Sequence, residues 1–169
     1  SVVETIWNDP GARFVFTLRS TVPYILGADG EKLYGGDYRF TSGRDEIVRE
    51  GSTGYVVAYG DMLCRALDAV ERARAAGLDV GLVNKPTLNV VDEAMMKRLG
   101  AAPFVLVVES QNIKTGLGSR FGTWLLERGF APKYAHLGVG KPGHGGLSEH
   151  MYHQGIDPAS ILAKIKSLA

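Results

Sequence analysis

The sequence predicts an α/β fold, a three-layer αβα sandwich around a mostly parallel sheet of about five strands. Three observations predict it. Short apolar runs recur along the chain: Tyr55-Val-Val-Ala-Tyr59, Asp79-Val-Gly-Leu-Val83, Phe104-Val-Leu-Val-Val108 and Tyr134–Val139. Segments with apolar residues at helical spacing lie between them. Capping and turn residues stand where one kind of segment gives way to the other. Strands alternating with helices at this spacing imply parallel pairing, with helices covering both faces.

The beginning of the chain departs from that pattern. Residues 1–8 read as the last turns of a helix, with Val3, Ile6 and Trp7 on one face, stopped near Pro10 and Gly11. Arg13-Phe-Val-Phe-Thr-Leu18 reads as a buried strand running into Arg19, Ser20 and Thr21. Gly27–Gly36 is glycine-rich and polar, a linker or surface loop, and a protease is expected to cut first between Gly27 and Gly43. Two short strand candidates follow, Tyr38–Thr41 and Glu46–Arg49. A helix end and one strand cannot make a core alone. The composition shift therefore suggests the tail of one domain (residues 1–35) joined to a second, complete one (residues 36–169).

From Gly54 the elements follow in order. After the first strand, Asp61 is placed to cap a helix with Met62, Leu63, Ala66, Leu67, Val70 and Ala73 at helical spacing, ending at Gly77. The strand at Asp79–Val83 precedes a short helix, Asp92–Leu99, that ends at Gly100. Phe104–Val108 is the strongest buried strand, and a loop then leads to Gly118 and a helix to about Arg128. Tyr134–Val139 is followed by the glycine-rich Gly138–Gly146, a short helix at Ser148–Gln154 and a terminal helix from Asp157, with Pro158 in its first turn.

Composition excludes several classes. Nineteen Lys and Arg against eighteen Asp and Glu give a net charge of +1, so no field draws the protein to nucleic acid or anionic lipid. Cys64 is the one cysteine, which excludes an internal disulfide framework and a multi-cysteine metal site. No apolar run is long enough to span a bilayer, and Ser1–Trp7 has no secretory pattern, so the expectation is a cytoplasmic chain, possibly a fragment.

Candidate chemistry is sparse. Thr115-Gly-Leu-Gly-Ser-Arg-Phe-Gly122 opens a helix after a strand, where backbone N–H groups are able to hold a phosphate. Its spacing is not the dinucleotide fingerprint, and the plainer reading is that Gly116 and Gly118 permit a tight start and Gly122 close helix packing. His144, His150 and His153 cluster in sequence, but without a zinc-protease pattern they read better as surface histidines than as ligands. Cys64, amid Leu63 and Leu67, reads as packing. Glu109 and Ser110 end the strongest strand, where open α/β sheets place ligands and also where a chain simply meets water. Arg19, beside two hydroxyls at a strand end, is shaped for a phosphate or carboxylate, or for an ion pair with another domain.

In order, these residues resemble the transketolase family. Gly54–Val70 resembles the opening of its C-terminal domain. Asp79–Leu88 with Asp92 is similar to its second strand and "P-T-x-x-x-x-D" continuation. Phe104–Ser110 with Thr115–Gly118 resembles its "V-V-E … G-G-x-G" segment, and His136–Val139 with Gly155–Ile161 its last strand and "G-I-D-x-x-x-I" helix start. The resemblance covers nearly all of residues 54–168. Phe14–Pro23 looks like the final strand of the family's middle, pyrimidine-binding domain, where the pattern S-R-x-x-x-P supplies an arginine to the substrate phosphate; Arg19 takes that place, with Leu18 where the family has serine.

The resemblance implies the C-terminal portion of a thiamine-diphosphate enzyme that transfers two-carbon ketol units between sugar phosphates. In that family the residues holding Mg²⁺ and the diphosphate, and the glutamate that activates the cofactor, belong to the two preceding domains. This chain is therefore expected to bind no cofactor or metal itself and to be inactive alone, serving domain packing and dimer assembly. Thiamine diphosphate and Mg²⁺ are expected in the full enzyme, a homodimer whose upstream thiamine-binding domains lie on the same chain or a separate subunit. Deoxyxylulose-phosphate synthases and 2-oxo-acid dehydrogenase beta subunits share this domain and are the nearest alternatives. A free-standing small-ligand or interaction module using the Gly116–Gly122 helix start is the alternative of a different kind.

Overall fold

The apolar runs become five strands: β1 Glu46–Arg49, β2 Gly54–Ala58, β3 Val80–Asn84, β4 Phe104–Asn112 and β5 Lys133–Val139. The structure, a computed structural model, describes residues 2–8, 10–18, 21–142 and 147–169, with the backbone alone for residues 147–149. The strand order is β1-β3-β2-β4-β5. β2 pairs in parallel with β3 and β4, β4 pairs in parallel with β5, and β1 lies antiparallel on the outer edge of β3. The helices are α1 Val2–Ile6, α2 Met62–Ala75, α3 Glu93–Gly100, α4 Leu117–Glu127, α5 Leu147–Gln154 and α6 Pro158–Leu168. This is the sandwich that the sequence predicts.

The alternation of side chains along each strand splits the core in two. Val56, Ala58, Leu82, Leu106 and Val108 face one way, onto Met62, Ala66 and Val70 of α2 and Ile161 and Ile165 of α6. Tyr55, Val57, Val83, Val105 and Val107 face the other way, onto Met96 and Leu99 of α3 and Phe121 and Leu125 of α4. Every residue of β2 and β3 is buried, because central parallel strands are covered on both sides. Continuous apolar runs are the sequence signature of that burial.

The helix ends follow local chemistry. Gly77 adopts φ +86°, the left-handed conformation that closes α2 without a Cβ penalty. Asp157 accepts from the N–H groups of Ala159 (3.0 Å) and Ser160 (3.2 Å), with Pro158 in the first turn of α6. Asp61 stands at the N-cap of α2 as expected, but its side chain makes no capping bond and turns elsewhere.

Two N-terminal expectations are corrected, and the surface-loop reading of Gly27–Gly36 gains detail. Arg13–Leu18 is irregular and exposed, with Phe14 and Phe16 showing 84% and 83% of their surface, so it is no buried strand here. A strand needs a neighbour to bond its backbone and cover its rings, and none of the described strands lies beside it. Tyr38–Thr41 is not a strand either: the Tyr38 N–H closes a turn onto Gly35 O (3.0 Å), and the Arg44 N–H closes another onto Thr41 O (3.2 Å). The glycine-rich stretch is folded. Leu26 and Lys32 form a bridge, the Leu33 N–H donates to Ile25 O (2.9 Å), and Gly30 turns at φ +81°. Ile25, Leu33 and Tyr34 pack this hairpin against the α2/α6 side of the core, which composition alone conceals.

Candidate functional site

The strand order fixes where a ligand crevice would be. From β2 the chain crosses through α2 to β3, whereas β4, on the other side of β2, leads through α4 outward to β5. The loops leaving the neighbouring strands β2 and β4 therefore diverge, and such a switch point is where open α/β sheets bind ligands. Here it is formed by Tyr59-Gly60-Asp61 after β2, and by Glu109 and Ser110 near the end of β4.

The chain fills this point itself. Glu109 is 1% exposed. Its Oε1 accepts from the Gly118 N–H (2.8 Å), and its Oε2 from the Leu117 N–H (2.8 Å) and the Tyr59 hydroxyl (3.0 Å). The two amides open α4, so a fixed carboxylate occupies the anion position at that helix start. Gly116 has to be glycine: a Cβ there would lie 2.2 Å from Glu109 Oε2. Burial, then the Glu109 charge, holds the Tyr59 hydroxyl well above the usual tyrosine range. Beside it, the Ser110 hydroxyl donates to Asp61 Oδ1 (2.8 Å), and Arg65 reaches Asp61 Oδ2 (3.3 Å), which is where the would-be cap has turned. Gly118 and Gly122 let α4 lie against β5, since Cβ atoms there would sit 2.3 Å from His136 Nδ1 and 2.9 Å from Tyr134 Cε1. The Gly116–Gly122 segment is thus a tight helix start and packing face, and its anion cradle belongs to Glu109.

A second buried polar group was not singled out from the sequence. Lys85, directly after β3, is fully buried, and its ammonium donates to Asp45 Oδ1 (3.0 Å), Asp45 Oδ2 (3.3 Å) and Val90 O (2.8 Å), 5.5 Å from the Trp124 ring centre. The Asp45 N–H in turn donates to Asp92 Oδ2 (3.0 Å). Burial pushes the Asp45 carboxyl up to about 6, against the pull of Lys85. The one signal in the sequence is a lysine that ends an otherwise apolar strand segment. The pair is a buried interlock between the segment before β1 and the loop after β3.

The other candidates do not converge on the switch point. Arg19 and His144 lie outside the described residues. His153 Nε2 is 2.9 Å from Pro142 O, and among the described residues no three His, Cys, Asp or Glu side chains are placed to hold a metal ion. Cys64 is half-buried, its thiol donates to Asp61 O (3.2 Å), and burial raises its pKa, which disfavours the reactive thiolate. No helix among the described residues is long and apolar enough to cross a membrane.

Residues 43–161 match the family described as transketolase, C-terminal domain. The chain belongs to that family. It is 31% identical over 170 residues to a putative uncharacterized transketolase family protein of Sinorhizobium fredii, covering 97% of this chain and 47% of that protein. It is 29% identical over 153 residues to one of the subunits of an apulose-4-phosphate transketolase, from Actinobacillus succinogenes, covering 86% of this chain and 49% of that relative. Among solved structures, an inactive beta4 tetramer of a split-gene transketolase superposes with a TM-score of 0.76 at 23% identity, over 89% of this chain and 46% of that one, a likeness of fold. The chain spans about half the length of these two curated relatives.

Among the described residues, the Gly116–Gly122 helix start of this transketolase C-terminal domain does not fit the diphosphate of thiamine diphosphate. A diphosphate needs a cation or a cradle of free backbone N–H groups. The cradle at Gly116–Gly122 is closed by a carboxylate, whose charge repels phosphate as well as taking its donors.

Proposed function

We propose that the chain is the C-terminal portion of a transketolase-type thiamine-diphosphate enzyme that moves two-carbon ketol units between sugar phosphates. Its part is structural: it packs against the upstream thiamine-binding domains, on the same chain or a separate subunit, and supports the homodimer. It is inactive alone, with thiamine diphosphate and Mg²⁺ held elsewhere in the full enzyme. The full enzyme is cytoplasmic, serves pentose phosphate interconversion and engages neither nucleic acid nor membrane. Residues 1–35 are the tail of the preceding pyrimidine-binding domain with its connection, and residues 36–169 are the C-terminal domain.

The observation that carries the structural part of this reading is the filled switch point, where Glu109 takes the Leu117 and Gly118 N–H groups and the Tyr59 hydroxyl. The exposed rings of Phe14 and Phe16, side chains suited to a neighbouring domain, support it further. The test is calorimetric titration of this chain with Mg²⁺ and thiamine diphosphate. No saturable heat is expected, and micromolar binding would overturn the assignment.

Within the same reading, Arg19 contacts the phosphate of the sugar substrate. A charge-assisted pair of about 1.5–3 kcal/mol is at stake. Far from the reacting carbon it acts as uniform binding, so Arg19→Ala in the complete enzyme should raise KM for phosphorylated substrates by roughly one to two orders of magnitude. Dephosphorylated acceptors should be nearly unaffected. Equal losses on both would assign Arg19 to the domain interface instead.

A further inference from the structure

The glycine-rich stretch between residues 25 and 46 has the composition of a hinge and the contacts of something else. Three layers of contact hold it. The hairpin is closed by the Gly27 N–H onto Glu31 O (2.8 Å) and the Leu33 N–H onto Ile25 O (2.9 Å), while Lys32 Nζ sits 3.8 Å from the centre of the Tyr24 ring. Arg49 of β1 reaches back to Leu26 O (3.1 Å). Beyond the hairpin, Tyr34 and Tyr38 meet edge to face with ring centres 5.0 Å apart. The Tyr38 hydroxyl donates to Glu46 Oε1, and Asn84 Nδ2 of β3 donates both to Glu46 Oε2 (2.9 Å) and to the Tyr34 hydroxyl (3.0 Å). Closer to the sheet, the Gly43 N–H donates to Thr87 Oγ1 (3.0 Å), and Asp45 is locked by Lys85 and Asp92.

We propose that residues 25–46 are a rigid clasp that fixes the direction in which the chain enters the sheet, instead of a flexible linker. Glu46 is its centre, because one carboxylate there takes donors from the clasp (Tyr38) and from the sheet (Asn84) at once. β1 needs this help. It is four residues long, its register with β3 shifts between Ile47 and Arg49, and of its residues only Val48 is buried. An edge strand so short is held by the side chains around it more than by its ladder. What the clasp aims, on the reading above, is the preceding domain, so that domain would be set rigidly against the C-terminal one.

Rigidity is testable on this chain alone. Amide hydrogen exchange should show the Gly27, Leu33, Tyr38 and Gly43 N–H groups protected, and trypsin should cut after Arg13 ahead of Lys32 and Arg39. Glu46→Ala should speed exchange at Leu33 and Tyr38 about tenfold or more, the loss expected for one charge-assisted bond. Arg72→Ala, which removes an exposed ion pair with Asp68, should leave them unchanged. Unprotected exchange at Gly27 and Leu33 in the unaltered chain overturns the proposal. So does cleavage after Lys32 or Arg39 as fast as after Arg13, or a Glu46→Ala variant with unchanged exchange. None of these outcomes bears on cofactor binding, so a failed clasp and a failed transketolase-type reading are told apart.

Discussion

Replacing Glu109 by glutamine changes one oxygen to nitrogen and tests the central feature of the switch point. The carboxylate takes three donors: the N–H groups of Leu117 and Gly118 at 2.8 Å each and the Tyr59 hydroxyl at 3.0 Å. An amide has one acceptor end. With that end kept on Leu117 and Tyr59, its NH₂ group faces the Gly118 N–H, donor against donor. The loss is one hydrogen bond to a charged group, about 1.5–3 kcal/mol, together with the interaction of the charge with the start of α4, about 0.3–2 kcal/mol. Relief of the buried charge offsets part of this. The net expectation is a destabilisation of about 2–4 kcal/mol, or a fall in Tm of roughly 5–15 °C for a chain of this size. Urea unfolding followed by circular dichroism measures it, with Tyr59→Phe as the internal scale. Tyr59→Phe removes one donor and leaves the carboxylate on both amides, so about 0.5–1.5 kcal/mol is expected. A Glu109→Gln loss below about 0.5 kcal/mol, the range of an ordinary surface change, would refute the account of Glu109 as the fixed anion of α4.

The buried interlock gives two further expectations. Lys85→Met leaves Asp45 without its ammonium and should cost about 3–5 kcal/mol, whereas Lys85→Met combined with Asp45→Leu should recover much of that; equal losses in the two variants would contradict the pairing. Burial raises Asp45 from the usual 3.8 to about 6, so its contribution is fully present below the unfolded value and is lost as pH rises through the folded one; Asp45→Asn should therefore flatten the stability profile between about pH 4 and pH 6, and an unchanged slope there would argue against the raised value.

The central sheet was legible because burial on both faces leaves no room for polar residues, which writes β2, β3 and the first part of β4 as apolar runs. The helices were legible from caps and spacing, down to Gly77 and Asp157. What escaped depends on contacts distant in sequence. Glu109 at the end of a strand reads as the chain meeting water, and only the return of α4 supplies its donors. The glycines at 116 and 118 were the available trace: one gives the carboxylate room and the other supplies an N–H, so their spacing from Glu109 records the contact. Lys85 gives no such trace, because its partners Asp45 and Trp124 lie on segments remote in sequence. Arg13–Leu18 misled for the opposite reason. Its pattern is that of a strand, but pairing is a property of two segments, and the second is not among the described strands.

The same physics explains why a phosphate-like motif ends in a closed site. A helix start in the interior of a three-layer fold has N–H groups that must be bonded, and three sources of acceptor exist: a ligand, water or the chain. A ligand makes the fold depend on ligand concentration, and water requires room that the packing of Gly118 and Gly122 against β5 removes. A carboxylate from the adjacent strand satisfies the donors permanently and fixes α4 to β4 by the same bonds. It also cancels the positive end of the helix, so the site loses attraction for any anion outside. A domain built this way holds α4 to β4 without depending on a ligand, in keeping with the structural part proposed for it. The clasp at residues 25–46 meets the complementary need at the β1 edge of the sheet, where Glu46 joins the incoming chain to β3 just as Glu109 joins α4 to β4.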